Sequence, residues 1–200
     1  MEASAPTGPY IEPEPREWQP RAMWVGARLL CGAAAFFFMA FLFAYFYLRS
    51  LDVNHGWKIG KVNPPVGFGV AIVVVLIASA VLLRIAGSQP TRTVSLGGAA
   101  LALALLGVVL QIVEWFTLGF GGASGGYASV FIGWTVLYVV LALGSLYWIE
   151  TQVAATWRAR REGPGHGGAQ MMSAEIEACS FFWAFYVAIG VITFVILYLL

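Results

Sequence analysis

Few side chains in this chain could do chemistry, and the most informative are an amide and a carboxyl group three residues apart. Gln111 and Glu114 lie near the end of a long apolar stretch, and on a helix this spacing places them on one face. Because a charge in hydrocarbon is costly unless it is paired or solvated, we expect a polar clamp between helices. Two alternatives are a protonatable group in a proton or ion path, and an interfacial carboxylate that reaches water.

The other chemically versatile residues do not form a catalytic or metal-binding pattern. The two histidines, His55 and His166, fall in polar connecting segments, and the two cysteines, Cys31 and Cys179, fall in separate apolar runs. These spacings favour neither a zinc site nor a disulfide framework, and no intramembrane histidine pair occurs that could ligate haem. With no nucleophile–base pair either, the sequence predicts no catalytic residue and no metal ligand.

The composition indicates an integral membrane protein. Of the 200 residues, 60% are hydrophobic and only 10% are charged, and the mean hydropathy is +0.80. A soluble domain carries about 25% charged residues. The formal net charge of +1 leaves no positive surplus to hold nucleic acid, so we expect no nucleic-acid partner.

Five apolar stretches are each long enough to cross the bilayer as a helix, which takes about 20 residues. Their continuity favours helices over a barrel, which would show short alternating segments. The sequence therefore predicts an all-α, polytopic fold: a proline-rich arm at 1–23, either disordered in the cytoplasm or strapped onto a partner, and a transmembrane domain at 24–200. The predicted spans are 24–48, 66–85, 94–117, 127–150 and 177–199.

Positive charges are unequally divided between the two ends of these spans. The end that holds the N-terminus has Arg16, Arg21, Arg28, Arg84, Arg92, Arg158, Arg160 and Arg161, and the other has Arg49, Lys58 and Lys61. Positive residues accumulate in cytoplasmic loops, so the bias predicts an N-in, C-out topology.

The third span carries small residues at three- and four-residue steps. Small residues let two membrane helices approach closely, so this face is predicted to be a packing seam. The residues are Gly97, Ala100, Ala104 and Gly107.

Short motifs occur in a fixed order in spans one, three, four and five. Residues 41–49 are FLFAYFYLR, 111–115 are QIVEW, 127–131 are YASVF after a glycine-rich loop, and 182–185 are FWAF. In these motifs the chain resembles subunit III of haem–copper (cytochrome c) oxidases of the five-helix bacterial type. That family has LFAAYFYLR, Q-x-x-E-[YW], YGSxFF and YWHFVD at the matching places.

The resemblance implies a non-catalytic accessory subunit of a respiratory terminal oxidase complex in the bacterial cytoplasmic membrane. Oxidase subunit I would be the main partner, and haem and copper would reside in partner subunits rather than in this chain. The complex would be an oxidoreductase that reduces oxygen and translocates protons. The family arrangement implied is a V-shaped bundle, with spans one and two as one wall and spans three to five as the other. The matching aromatic scaffold is Tyr45, Phe46, Trp115, Trp183 and Phe185.

Phospholipid is the ligand that the resemblance implies, held in the cleft of the bundle. Arg28, Arg49 and Arg84 are the candidate contacts, because a guanidinium group binds phosphate through two parallel hydrogen bonds. Arg28 and Arg49 could equally be ordinary anchors at the ends of a membrane helix.

The chain departs from the family at five polar positions. The carboxylate of span one is replaced by Ala34, two histidines of span four by Thr135 and Tyr138, and a histidine and an aspartate of span five by Ala184 and Val187. The chain is therefore expected to be a divergent, more apolar member, to which the roles of those groups do not carry over.

Two other functions remain open at this point. A related subunit of a nitric oxide reductase complex is compatible with the same residues. A stand-alone small membrane transporter or sensor would instead depend on Glu114, although the sequence has neither an internal repeat nor a mid-span proline.

Overall fold

The computed structural model describes residues 18–52, 56–60, 62–89, 91–162 and 169–200. These residues form helices and connecting turns without any strand. Five helices are long and apolar enough to cross a membrane. The predictions of an all-α fold and of five candidate membrane spans are therefore confirmed.

The helices are longer than the predicted spans at several ends. The last one continues into a π-helical turn, here called the C-terminal π turn. The elements are α1 (Gln19–Ser50), α2 (Val66–Ser88), α3 (Thr93–Thr117), α4 (Gly126–Glu162), α5 (Ala169–Phe194) and the C-terminal π turn (Val195–Leu199).

Two helices extend beyond the membrane spans predicted for them. Helix α1 begins at Gln19, because Pro20 falls in the first turn, where a proline removes no helical hydrogen bond. Residues 19–23 therefore belong to the helix, and 1–17 of the predicted arm lie outside the described residues. Helix α4 continues twelve residues past the predicted end at 150, to Glu162, with Arg160 and Arg161 in its last turn, where positive charge is favoured.

Successive helices alternate in direction. Trp24, near the start of α1, lies with its ring centroid 5.4 Å from that of Phe181 in the first half of α5. Tyr45, near the end of α1, packs 6.5 Å from Tyr127 at the start of α4. The start of α1 and the C-terminal π turn consequently lie at opposite ends of the bundle.

Helix α1 packs on α4 and α5, whereas α2 packs on α3 and α5. Phe38 of α1 meets the rings of Tyr138 and Tyr186 at centroid distances of 5.8 and 6.1 Å. The predicted pairing of the first two helices as one wall is therefore not confirmed. Membrane helices are apolar on all sides, so hydrophobic periodicity does not determine which neighbours they choose.

The most extensive helix contact joins α2 and α3 through the small residues of the third span. A Cβ added at Gly107 would lie 2.9 Å from Leu76 of α2, and one added at Gly97 would lie 2.7 Å from Val153 of α4. Ala100 and Ala104 between them are fully buried. The small residues of α3 thus allow both α2 and α4 to approach it closely.

A buried serine joins three helices near the middle of the bundle. Ser79 of α2 donates a hydrogen bond to the carbonyl oxygen of Ala100 at 2.8 Å. Its hydroxyl also accepts the indole N–H of Trp183 at 3.1 Å. Since Trp183 is fully buried, this N–H depends on the serine for its hydrogen bond.

The variant Ser79→Ala is expected to lower the free energy of unfolding by about 1–2 kcal/mol, because it leaves the indole N–H of Trp183 buried without an acceptor. The measurement is the midpoint of unfolding by sodium dodecyl sulfate in mixed micelles, followed by tryptophan fluorescence. Ser145→Ala is the matched control, since Ser145 is also buried but bonds only Leu141 of its own helix. Equal losses in the two variants would contradict the prediction.

Candidate functional site

The carboxyl group of Glu114 is the centre of the most polar buried cluster among the described residues. Glu114 is 0% exposed. Its Oε2 accepts two hydrogen bonds of 2.6 Å, one from Gln111 Nε2 on the same helix and one from the Tyr198 hydroxyl. Its Oε1 is buried without a hydrogen-bond partner. The cluster therefore links α3 to the C-terminal π turn through a single carboxylate oxygen.

The C-terminal π turn that carries Tyr198 is held against α4. The hydroxyl of Tyr127, at the start of α4, donates a hydrogen bond to the carbonyl oxygen of Leu197. The ring of Tyr198 packs edge-on against Phe131 at 5.5 Å and beside Phe194 at 5.2 Å. A π turn widens the helix and leaves carbonyl groups outside the regular ladder, which suits it to this contact.

The sequence analysis predicted the polar pair but not its third member. The spacing of Gln111 and Glu114 placed them on one face, and the structure brings the two side chains into direct contact. Tyr198 gave no signal, because one tyrosine in a final apolar run resembles the aromatic residues that commonly flank membrane spans.

A small cavity adjoins the polar cluster between α2, α3, α4 and α5. Its volume is about 20 Å³. Polar side chains from three of these helices and from the C-terminal π turn line it, together with small and aliphatic residues of α2. The lining residues with polar side chains are Gln111, Thr135, Tyr138, Thr193 and Tyr198.

Aromatic residues of the motifs divide into buried and outward-facing groups. Tyr45 and Trp183 are fully buried, whereas Phe46 is exposed and Phe185 is half-buried. Trp115 is half-buried and donates its indole N–H to Thr135 Oγ1 at 3.0 Å. Three of the five thus support helix contacts through burial or a hydrogen bond, and Phe46 faces outward.

Two positions where the chain differs from the motifs it resembles have partners of their own. Thr135 donates to the carbonyl oxygen of Phe131 at 2.8 Å while it accepts the bond from Trp115. Tyr138 stacks on Tyr186 at a centroid distance of 4.5 Å, and each hydroxyl bonds the other residue's backbone carbonyl. Hydrogen bonds within the bundle therefore satisfy the side chains of Thr135 and Tyr138.

The other three departures lie in apolar or outward-facing surroundings. Ala34 is buried in a small cluster with Cys31 and Phe182. Val187 is buried in the main core, and Ala184 is exposed on α5. The side chains at these three positions are apolar and therefore make no hydrogen bonds.

A second aromatic group fixes the connection between α1 and α2 onto the start of α4. Trp57 is buried, with its ring 5.1 Å from Tyr45 and 5.7 Å from Tyr127. The backbone N–H groups of Gly126 and Tyr127 donate to the carbonyl oxygens of Gly56 and Trp57. N–H groups in the first turn of a helix have no acceptor within the helix, and these two find one in the preceding connection. This group lies at the same end of the bundle as Tyr198.

Two of the three candidate lipid-binding arginines lie towards opposite ends of α1. Arg28 lies over the ring of Trp24 at 5.8 Å, and Arg49 lies over that of Tyr45 at 5.9 Å, at the opposite end of α1. Arg84 is exposed near the end of α2. Arg28 and Arg49 are therefore separate surface positions, and all three arginines are exposed.

No group of three or more metal-binding side chains occurs among the described residues. Cys31 and Cys179 are both buried as free thiols. His55 and His166 lie outside the described residues. Within the described part of the chain, the hydrogen-bonded cluster around Glu114 is therefore the candidate functional site.

Comparisons with known proteins do not assign the chain to a family. No family model matches it, and no curated protein is found to be similar. The fold and the apolar helices define a multi-pass membrane protein, and any narrower function has to be argued from its residues.

Proposed function

We propose that this chain is the accessory subunit III of a bacterial respiratory terminal oxidase, without a catalytic centre of its own. Two features support the proposal: five apolar helices, and the order of the four motifs along them. Haem and copper belong to the partner subunits, and this chain supports their assembly, binds lipid and sustains proton uptake.

The observation that carries the proposal is the burial of the Gln111–Glu114 pair. This pair is the most specific part of the resemblance, and its carboxyl group bonds a tyrosine of another element. The other buried polar residues that the structure describes carry no charge. A carboxyl group used to join helices suits a subunit whose role is structural. The complete burial of Glu114 favours a joint between helices over a site that exchanges with water.

The proposed orientation is N-in and C-out in the bacterial cytoplasmic membrane. The alternating helices put the start of α1 and the C-terminal π turn at opposite ends. The end with the α4 extension carries Arg158, Arg160 and Arg161, which suit anionic headgroups on the cytoplasmic side.

The proposed surfaces for subunit I and for lipid both involve α1. Large apolar side chains project from this helix and are exposed over its length, which suits a helix covered by a partner or by acyl chains. Arg28 and Arg49, at its two ends, are proposed to bind lipid phosphate, and Arg84 to do so on α2.

The test is mild-detergent extraction of the tagged chain from its native membrane, followed by an optical spectrum and identification of the co-purifying chains. A haem spectrum together with a large polytopic partner is expected, and the reciprocal pull-down through that partner should recover this chain. Oxygen reduction by the complex supports the oxidase, and nitric oxide reduction would select the related reductase. A colourless, monodisperse chain would overturn the proposal and favour a transporter or sensor.

A further inference from the structure

The cavity beside the polar cluster contains a hydroxyl group that the protein itself does not satisfy. Thr193 lies on α5, is 7% exposed and lines the cavity. Its Oγ1 has no hydrogen-bond partner. Buried polar groups without a partner are uncommon, and an ordered water is a usual explanation for one that borders a cavity.

The size of the cavity matches one water molecule. Its volume of about 20 Å³ exceeds the roughly 10–15 Å³ that a single water requires on this measure. A second cavity, lined by residues that include Leu83, Thr93 and Gln152, has only about 10 Å³, and polar atoms make up a smaller share of its walls. Size and polarity therefore distinguish the Thr193 cavity from the second cavity.

The walls also supply the number of partners that a buried water needs, which is two to four. The Gln111 amide donates to Glu114 and also interacts with the Tyr198 hydroxyl, which leaves its carbonyl oxygen able to accept a hydrogen bond. The Tyr138 hydroxyl donates a long bond of 3.3 Å to Tyr186 and retains lone pairs that can accept. Together with the Thr193 hydroxyl, these groups provide three possible hydrogen-bond partners for a water, one each on α3, α4 and α5.

We propose that this cavity is a binding site for one structural water molecule, bonded to Thr193, Gln111 and Tyr138. The water extends the Glu114 cluster across the bundle, so that a continuous polar network connects the C-terminal π turn, α3, α4 and α5. The inference depends on the cavity and its walls alone and is independent of the oxidase proposal.

The first test is a high-resolution density map of the purified full chain, in its complex where it has one. A density peak within hydrogen-bond distance of Thr193 Oγ1 and the Gln111 side chain is expected, and it should disappear in Thr193→Val. A wild-type map without this peak overturns the proposal.

The second test measures the stability of the same variant. A cavity that holds a water and a cavity that is empty predict changes of opposite sign in the unfolding midpoint. In a wet cavity, Thr193→Val removes a ligand of the water and lowers the unfolding midpoint. In a dry cavity, it removes an unsatisfied hydroxyl and leaves the midpoint equal or higher, which would overturn the proposal.

Thr156→Val is the matched control, because it measures the effect of replacing a buried helical threonine by valine away from the cavity. Thr156 is also 7% exposed, but its hydroxyl already bonds the carbonyl oxygen of Gln152 in its own helix at 2.8 Å. The proposal expects a larger loss for Thr193→Val than for Thr156→Val. A loss that is no larger contradicts it.

Discussion

Replacing Glu114 with alanine is expected to lower the free energy of unfolding of the chain by about 2–4 kcal/mol. The substitution leaves two donors, the buried Gln111 Nε2 and the half-buried Tyr198 hydroxyl, without their shared acceptor. It also opens a space where a fully buried side chain stood. Hydrogen bonds between membrane helices average about 0.6 kcal/mol, so most of the expected loss comes from the stranded donors and the new space.

The unfolding midpoint in mixed micelles measures this loss, and two variants serve as controls. Glu114→Gln retains an oxygen that can accept both bonds, so a smaller loss is expected. Glu150→Ala removes a glutamate that is exposed on α4, and no change is expected. Equal effects of all three substitutions would show that the carboxyl group does not join the helices.

If the oxidase proposal is right, Glu114→Ala should also reduce the yield of assembled complex more than the turnover per haem. An unchanged yield of assembled complex with reduced proton translocation would contradict the role of Glu114 in joining helices. It would favour a proton path through Glu114. Because the stability measurement does not depend on a partner, the two results can be interpreted separately.

The number of helices could be predicted from hydropathy alone, because the bilayer sets the length of an apolar run. Hydropathy alone does not give the exact residues at which the helices end. Residues 151–162 are too polar for a span, yet nothing in them breaks a helix, so α4 continues through them. Hydropathy measures compatibility with lipid, whereas the end of a helix depends on backbone geometry and capping.

The candidate site could be predicted only where its residues are close in sequence. Gln111 and Glu114 are neighbours on one helical face, so their contact follows from spacing. The bonds from Tyr198 to Glu114 and from Trp183 to Ser79 cross 84 and 104 residues. Their existence depends on which helices become neighbours, and in a chain that is apolar on every side the sequence does not encode this in an amphipathic pattern.

The second large effect is expected at Gly69, where α2 comes closest to the C-terminal π turn. A Cβ at this position would lie 2.7 Å from Phe194 Cδ2 and 2.8 Å from Tyr198 Cε1. Alanine gains at most about 1 kcal/mol over glycine within a helix, while overpacking costs about 1–3 kcal/mol. The variant Gly69→Ala is therefore expected to lower the unfolding midpoint, against the usual direction for this substitution.

Gly67→Ala is the matched control, because Gly67 lies in the same turn of α2 and a Cβ there would meet nothing within 4 Å. Its midpoint should be unchanged or raised. The bond of Tyr198 to Glu114 prevents the ring from swinging away, so Gly69→Ala should cost less in a Tyr198→Phe background than in the wild type. Equal costs in both backgrounds would show that the ring is not held by that bond, and that the glycine and the polar cluster act independently.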